Sequence, residues 1–417
     1  MLRNWKKALG VLTLVLVMII GLTACNDNGE EASNDEGSVE YAQGVTDDTV
    51  KIGTVGVMSG PLSFIGTPYF AGMQAYIQDV NEQGGVHGRQ VELIMKDDEF
   101  DPSQSIEVME DLIYDEEVFA IIGHLGTPGV VATADMVQEE GIPSVYFGAG
   151  AVELTELGEN FFPVQPNYVY EGALKAQYAI EEFDADTIAV VYSDDDTGND
   201  GLRGVKEGLE VLGREDALVA ELSFGAGDTD FTVQAQRVQE ADPDLIIVYG
   251  VGGGTVNFLQ YAEEYNLDKP MLTTYSNADN SFLTLASESA PEAVLNLHVM
   301  GWLDVQEDSL IPLYEAMEKY QPEAPINAYT MAGWVAAETF MEGLRAAEDN
   351  LSWDGFISAM NTLDFTGDLG QVIYYEEGFR QGVTNMAVSR VVQLDDGSFA
   401  FEQMTDFNEF EAFLDKL

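Results

Sequence analysis

A regular alternation of short apolar runs with amphipathic segments constrains the fold of this chain more than any other feature of its sequence. The run at 50–57 is rich in β-branched residues and ends at turn residues, and apolar side chains then recur at helical spacing over 69–80. Strands that alternate with helices in this way form parallel sheets that are covered on both faces. The pattern predicts strands at 50–57, 90–95, 119–122, 144–147, 187–193, 217–223, 244–250 and 270–275, and helices at 69–80, 103–115, 130–139, 171–182, 201–212, 231–241 and 255–265.

The alternation forms two consecutive blocks of similar size, because it starts again after Pro166. Two doubly wound blocks place the carboxyl ends of their strands around a common cleft, where open parallel sheets bind ligands. We therefore expect an α/β protein that is either a two-lobed binding protein or a two-domain enzyme. Beyond Val294 the sequence predicts a strand at 296–302, helices at 311–320, 328–347 and 353–362, and short β segments at the end.

Cys25 is the only cysteine among the 417 residues, and it follows a segment of the type that directs export. Residues 1–24 combine basic residues, an apolar run over 8–20 and small residues before Cys25, which together predict a cleaved signal peptide. The apolar run is shorter than the roughly 20 residues that span a membrane. A free thiol at a new amino terminus predicts a lipid on Cys25 that anchors an extracytoplasmic protein to the cell membrane. An uncleaved signal anchor is the alternative.

Composition defines the next segment and excludes several partners. Residues 25–48 consist largely of Asn, Asp, Glu, Gly and Ser, which predicts a flexible tether.

The formal charge is −57, and it becomes −60 once cleavage removes three basic residues. A chain this acidic repels nucleic acid and anionic headgroups, and its few lysines and arginines suggest a saline environment that screens charge. With its one thiol lipidated, the mature chain has no disulfide.

Residues that carry catalytic or metal chemistry are few and dispersed. The glycine-rich loop at 250–254 matches a dinucleotide loop only in part. The acidic run at 194–201 lacks the final Glu of a calcium loop, and acids at such a place also stabilise a helix start. We therefore predict no catalytic residues, no metal and no cofactor. The histidines show no metal-type spacing; they are His87, His124 and His298.

Two glycine-rich loops that follow predicted strands offer backbone donors. They are 123–129 (GHLGTPG), which leads into a helix, and 146–151 (YFGAGA). Glycine lets a ligand approach the backbone closely, and free N–H groups at a helix start attract anions such as carboxylates. Tight turns without a ligand are the alternative for either loop taken alone.

Several short motifs follow one another along most of the chain. They are 57–61 (VMSGP), 81–89 (NEQGGVHGR), 97–102 (DDEFDP), 122–125 (IGHL), 140–143 (EGIP) and 153–155 (ELT). In this order the chain, over about 50–397, resembles the leucine/isoleucine/valine-binding protein family, the type I periplasmic solute-binding proteins of ABC importers. The resemblance implies two doubly wound lobes that are joined by three crossover strands and close by a hinge motion. It also implies that lobe 1 comprises 49–168 and 299–385, and that lobe 2 comprises 169–298 and 386–417.

The resemblance further implies a ligand site in the cleft. In amino-acid-binding members a hydroxyl residue after the G-H-L motif and a small-residue loop hold the ligand carboxylate, and they match Thr127 and 148–150 here. The usual pocket Tyr falls near Thr197, and the acid that pairs with the ligand ammonium falls near Ser276, close to Asp279. Because a buried ammonium needs a counter-charge, a small carboxylate or amide with an apolar body fits about as well as leucine. The site residues implied are Thr127, Gly148, Ala149, Gly150, Phe64, Ile65, Tyr69, Tyr146, Thr197, Ser276 and Asp279.

Taken together, these features predict a monomeric, lipid-anchored protein that captures a small solute and delivers it to an ABC permease. The solute is amino-acid-like, or a related carboxylate or amide. A second interpretation is a sensory receptor of the same fold that passes its ligand-bound lobe to a signalling partner. A third is a cell-surface enzyme, for which the sequence offers no convergent set of acid, base and nucleophile.

Overall fold

The structure is a computed structural model that describes residues 41–60, 62–225, 227–304, 308–376 and 379–414. The predicted signal peptide, Cys25 and the first part of the predicted tether lie outside these residues. Within the described part of the chain, no helix is long and apolar enough to cross a membrane.

The first half of the chain builds a five-stranded parallel sheet, as its alternation of strands and helices predicts. Its strands are β1 (Thr49–Gly56), β2 (Gln90–Asp97), β3 (Ala120–His124), β4 (Ser144–Phe147) and β5 (Phe161–Phe162). They pair in the order β2-β1-β3-β4-β5. The helices between them are α1 (Ser63–Glu82), α2 (Pro102–Glu110), a π-helical turn (Asp111–Asp115), α3 (Thr127–Glu140) and a 3₁₀ turn (Val152–Glu156).

The second half builds a larger sheet in the same manner. Its strands are β6 (Ile188–Ser193), β7 (Leu218–Phe224), β8 (Leu245–Tyr249), β9 (Met271–Thr273) and β10 (Leu297–Gly301). Its helices are α4 (Tyr168–Glu181), α5 (Asp196–Leu212), α6 (Thr232–Ala241), α7 (Gly253–Glu264) and α8 (Asn280–Ser289), with 3₁₀ turns at Glu215–Ala217, Tyr275–Asn277 and Ala293–Asn296. All five β8 residues are buried, as expected for a central strand of a parallel sheet.

The last third of the chain returns to both halves. Its helices are α9 (Ile311–Tyr320), α10 (Ala328–Ala347), α11 (Trp353–Met360) and α12 (Glu411–Leu414). Its strands are β11 (Asp364–Thr366), β12 (Val372–Glu376), β13 (Phe379–Gly382), β14 (Ala387–Gln393) and β15 (Phe399–Gln403). The second sheet then has the order β15-β14-β10-β9-β8-β6-β7, and β11-β12-β13 form a small antiparallel sheet.

Close packing joins this last third to the first half. A β-carbon at Gly333 of α10 would lie only 1.8 Å from the carbonyl oxygen of Tyr69 of α1, so the two helix backbones touch. β14 instead pairs antiparallel with β10 of the second sheet. The chain therefore passes between the halves three times, near 163–167, 301–304 and 383–386. The residue boundaries of the two lobes stay a prediction.

Three features differ from the predicted architecture. The second sheet is mixed rather than parallel, because β14 pairs antiparallel with β10 and a turn at Gly397 then pairs β15 antiparallel with β14. The sequence pattern also missed α8, which Asp279 begins as its N-cap. Residues 41–48 of the predicted flexible tether pack against the first half: the Ala42 N–H donates to the Leu351 carbonyl at 3.0 Å, and the Gln43 amide donates to the carbonyls of Ile113 and Val118.

Candidate functional site

A cavity of about 450 Å³ lies between the two sheets. The loops that follow β2, β3, β4, β6, β8 and β9 line it, together with parts of α1 and α10 and residues of two crossovers. Open parallel sheets bind ligands at the carboxyl ends of their strands, and the volume is in the usual range of small-molecule sites. The cavity is therefore the candidate site of this protein.

The structure brings seven of the eleven predicted site residues to the cavity. Thr127 begins α3, and the residue before it, Gly126, provides no side-chain cap for this helix start. The Gly148 N–H already donates to the His124 carbonyl at 2.9 Å, so the 148–150 loop offers fewer backbone donors than expected. The next residue of this loop, Ala149, also lines the cavity. The seven are Ile65, Tyr69, Thr127, Gly148, Ala149, Thr197 and Ser276.

The other four predicted residues do not line the cavity. Phe64 is 62% exposed at the surface. Gly150 packs against an aromatic ring of Tyr168, whose N–H donates to the Gly150 carbonyl at 2.8 Å. The carboxylate of Asp279 accepts two N–H groups of the first turn of α8, at 2.7 and 3.1 Å, and is engaged as a helix cap. Tyr146 is fully buried behind the wall.

Aromatic residues form much of the cavity wall, and all of them except Tyr69 were not singled out from the sequence. The rings of Tyr168 and Tyr275 stack with centroids 5.9 Å apart, and Trp302 meets Tyr275 edge to face at 6.4 Å. Tyr168 lies at the end of the first crossover, where no periodic pattern marks it. Tyr275 and Trp302 come just after β9 and β10, and a position at the end of a strand is the local signal that could have indicated them. The aromatic lining consists of Tyr69, Phe100, Tyr168, Tyr275, Trp302 and Tyr329.

The side-chain amide of Gln165 connects the two halves in the first crossover. The Tyr275 hydroxyl lies 3.0 Å from the Pro166 carbonyl, which can only accept, so Tyr275 donates there. The Tyr275 oxygen therefore accepts from Nε2 of Gln165 at 3.1 Å, and Oε1 of Gln165 accepts from the Tyr146 hydroxyl at 2.9 Å. Gln165 is partly exposed and lines the cavity, so its second Nε2–H is available to an acceptor of a solute.

A buried ion pair fixes the loop that carries Tyr275. The Glu171 carboxylate accepts the Tyr275 N–H at 2.9 Å, the Thr274 hydroxyl at 3.0 Å and the Tyr249 hydroxyl at 2.8 Å. Nζ of Lys175 lies 3.1 Å from Glu171 and 3.5 Å from the centroid of the Tyr249 ring. Burial lowers the pKa of Lys175 to about 8 although the charge of Glu171 acts in the opposite direction.

The charged groups of the lining are all acidic. Among the described residues that line the cavity there is no Lys, Arg or His, whereas Asp195 and Asp196 are both present. Asp195 caps α5, because its carboxylate accepts the Gly198 N–H at 3.0 Å and the Ser193 hydroxyl at 2.7 Å. Asp196 is exposed and makes no hydrogen bond or ion pair within the part of the chain that the structure describes. The acidic side chains of the lining thus lie in the loop after β6, whereas Asp279, the acid near Ser276, is a helix cap outside the lining.

The other motifs singled out from the sequence have internal partners or lie away from the cavity. His124 is 2% exposed, does not line the cavity, and burial lowers its pKa to about 3. The side chain of Asn277 holds the glycine-rich loop, since its amide donates to the Gly250 carbonyl at 2.8 Å and accepts the Gly252 N–H at 2.8 Å. Over the described ranges, no group of three or more His, Cys, Asp or Glu residues could hold a metal ion.

Most of the chain matches the sequence model of one protein family, and the fold and the cleft described above are consistent with that match. Residues 49–398 match the family model described as periplasmic binding protein. The chain belongs to this family. The periplasmic binding proteins are solute-binding proteins, and this membership, with the structural similarity, confirms the predicted two-lobed type I fold.

Individual members show how far the similarity extends. The Leu/Ile/Val-binding protein of Escherichia coli (strain K12) is 25% identical over 334 residues, which are 80% of this chain and 88% of that protein. A fatty acid ABC transporter substrate-binding protein from Thermomonospora curvata has a TM-score of 0.74 at 22% identity, over 90% of this chain and 96% of that chain. A solute binding protein from R. palustris in complex with 4-hydroxybenzoate has a TM-score of 0.74 at 20% identity, over 87% of this chain and 98% of that chain.

Proposed function

We propose that this protein is the lipid-anchored solute-binding component of an ABC importer. It captures an amino-acid-like solute, or a related carboxylate or amide with an apolar body. The observation that carries the proposal is the cavity between the two sheets, which has aromatic walls and a small number of polar groups. No covalent chemistry is required, because closure of the lobes around the solute depends only on differential affinity for the closed state.

The first-lobe wall supplies neutral donors for a carboxylate. Thr127 contributes its hydroxyl at the start of α3, and Ala149 contributes backbone in the loop after β4. Gln165 adds an oriented amide N–H from the crossover. Neutral donors at a helix start bind carboxylates without a cationic side chain, which suits a wall that contains none.

The second-lobe wall favours a solute that also carries a positive group. Asp196 provides a carboxylate there, and the chain as a whole has a formal charge of −57. A field of this sign repels a purely anionic solute and leaves a zwitterion without net repulsion. The solutes named for the three relatives above share an acid group on an apolar body. An amino acid with an apolar side chain is therefore the solute class that the geometry supports best.

The proposed location rests on the sequence before residue 41. Cleavage before Cys25 and acylation of its thiol anchor the protein on the outer side of the cell membrane, next to a permease. The substitution Cys25→Ala should release the protein from the membrane fraction into the periplasm or the medium. Retention of the variant in the membrane fraction would contradict the lipid anchor.

A thermal-shift screen with matched solute pairs tests the proposed function, because a ligand that binds only the folded state raises the melting temperature. One pair is isoleucine and 3-methylpentanoate, and the other is phenylalanine and 3-phenylpropanoate; each pair differs only in the ammonium group. We expect a larger shift with the amino acid of a pair than with its deaminated partner. A larger shift with the deaminated acids would retain the binding function and contradict the zwitterion, and no shift with any member would contradict the solute class.

Two variants with matched controls locate the solute within the cavity. Thr127→Ala should weaken binding by about 0.5–1.5 kcal/mol through the loss of one neutral hydrogen bond, whereas Thr284→Ala on the exposed face of α8 should not change it. Asp196→Asn should weaken the binding of the amino acids. It should leave the binding of the deaminated acids unchanged or strengthen it, because it removes a negative charge from the wall. Asp194→Asn, two residues away in the same acidic run, should affect neither.

A further inference from the structure

A hydrogen bond joins the two lobes outside the crossovers. The N–H of Val152 donates to Oδ2 of Asp200 at 2.9 Å. Val152 begins the 3₁₀ turn that follows β4 of the first sheet, and Asp200 lies on α5, which covers the second sheet. The first N–H groups of a helical turn have no partner within it, and Ala151 supplies no side-chain cap. The second lobe therefore caps a turn of the first lobe.

Both ends of this hydrogen bond are attached to rigid structure. On the first-lobe side, Ala151 and Leu154 are 3% and 1% exposed and anchor the turn in the core. On the second-lobe side, a β-carbon at Gly204 would lie 2.0 Å from the Val169 carbonyl oxygen, so α5 and α4 touch at the backbone. Because neither partner can swing freely, the length of the bond depends on the angle between the lobes.

The bond differs from the hydrogen bonds that the first crossover makes between the halves. The Tyr168 N–H that donates to Gly150 and the amide of Gln165 belong to the first crossover, which moves with the hinge. The bond between Val152 and Asp200 bypasses the crossover. It also lies two residues beyond the 148–150 loop, which carries predicted carboxylate contacts of the solute.

The surroundings of Asp200 leave its carboxylate as the acceptor. Burial raises the pKa of Asp200, while the Val152 N–H and the nearby charge of Arg203 lower it and Asp196 raises it. Arg203 is engaged with Glu207 at 2.7 Å and also lies near Glu156 of the first-lobe turn. A carboxylate that accepts from a backbone N–H forms a stronger bond than a neutral amide does.

We propose that Asp200 is an interlobe positioning residue, which holds the 3₁₀ turn and the adjacent 148–150 loop against α5 and thereby populates this arrangement of the lobes before any solute binds. The consequence is that part of the empty protein already has the arrangement of the lobes described here, so that a solute selects a state that exists. This role does not depend on which solute the cavity takes.

Distances between spin labels in the absence of solute test this role. The full chain with Cys25→Ser has no cysteine, so labels can be placed at Glu139→Cys on α3 and Glu264→Cys on α7, both exposed and in different lobes. Double electron–electron resonance then gives the distance distribution. We expect a short-distance population in the parent chain that falls at least twofold with Asp200→Asn and is partly restored with Asp200→Glu. Asp194→Asn, an exposed acid of the same run, should leave the distribution unchanged.

The melting temperature separates positioning from a general loss of structure. We expect Asp200→Asn to shift the distances while it leaves the melting temperature within about 2 °C of the parent, as is usual for a partly exposed position. Identical distance distributions in the parent and in Asp200→Asn would overturn the proposal. A parent chain without a short-distance population would overturn it as well, and so would a variant that only melts earlier with unchanged distances.

Discussion

Nζ of Lys175 lies 3.1 Å from Oε1 of Glu171, and solvent reaches neither side chain. The two residues are one turn apart on α4, the helix that follows the first crossover. Through the Tyr275 N–H the pair also holds the loop that lines the second-lobe wall of the cavity. This buried pair therefore contributes to the stability of the fold and also positions the loop that carries Tyr275. Its contribution to stability can be measured with substitutions at the two positions.

Single substitutions in this pair should be far more damaging than the double substitution. Glu171→Gln and Lys175→Met each leave one buried charge without its partner, and we expect a loss of roughly 3–5 kcal/mol in the free energy of unfolding for each. The double variant should lose much less than the sum, which denaturant unfolding measures as a coupling energy. The exposed pair Arg203–Glu207 has the same spacing on α5 and should couple by less than about 1 kcal/mol. Additive losses at 171 and 175 would contradict a functional ion pair.

Loss of the hydroxyl should affect the free energy of unfolding differently at two buried tyrosines of the predicted site, Tyr69 and Tyr146. The Tyr69 hydroxyl is buried and makes no hydrogen bond within the described structure, so Tyr69→Phe should leave the free energy of unfolding unchanged or raise it by up to about 1 kcal/mol. Tyr146→Phe removes the 2.9 Å bond to Gln165 and should lower it by about 1 kcal/mol. Equal losses in both variants would contradict these assignments.

The stability of the first lobe should fall as the pH rises through the titration of Glu338. This residue of α10 is 4% exposed, and burial, followed by the charge of Asp368, raises its pKa from 4.5 to about 8. The folded state therefore keeps a proton between pH 4.5 and 8 that the unfolded state releases, so this stabilisation is complete below pH 4.5 and is lost toward pH 8. The protonated carboxyl can donate to Oε1 of Gln371, which has no other partner in the described structure, once that amide turns over.

Glu338→Gln replaces the carboxyl with a neutral group and should remove this pH dependence. We expect the variant to gain stability over the parent by roughly 1 kcal/mol per pH unit between pH 5 and 8, measured by urea unfolding. Glu348→Gln, at the exposed end of the same helix, serves as the control and should show no such trend. A constant difference between parent and Glu338→Gln across this range would show that Glu338 is ionised throughout.

Much of the fold could be predicted because its signals are local. The alternation of strands and helices gave the ends of Ser144–Phe147, Ile311–Tyr320 and Ala328–Ala347 to the residue. Short β segments were predicted at the end of the chain, and the resemblance assigned 386–417 to lobe 2. The antiparallel pairing of β14 could not be predicted, since its direction depends on the third crossover and not on periodicity.

The site was less predictable, because neighbours in space decide the role of each residue. Three acids stand side by side at 194–196, and only the fold shows that Asp195 caps α5 while Asp196 faces the cavity. The sequence indicated Asp279 only as an acid close to the position expected for an ammonium partner, and the structure shows that it is the N-cap of α8. Gln165 lies in a crossover without any pattern, so its bonds to two tyrosines arise only when both lobes are assembled.

The contact between α1 and α10 should tolerate no side chain at Gly333. Alanine is favoured over glycine in a helix by about 1 kcal/mol, but its β-carbon would overlap the Tyr69 carbonyl, and overpacking of this kind costs about 1–3 kcal/mol or more. Gly333→Ala should therefore lower the free energy of unfolding by at least about 1 kcal/mol. It should also weaken solute binding, because Tyr69 and Tyr329 of these helices line the cavity. Gly253→Ala at the start of α7, where a β-carbon meets nothing within 4 Å, should be harmless, and a similarly harmless Gly333→Ala would show that the helices can separate without consequence.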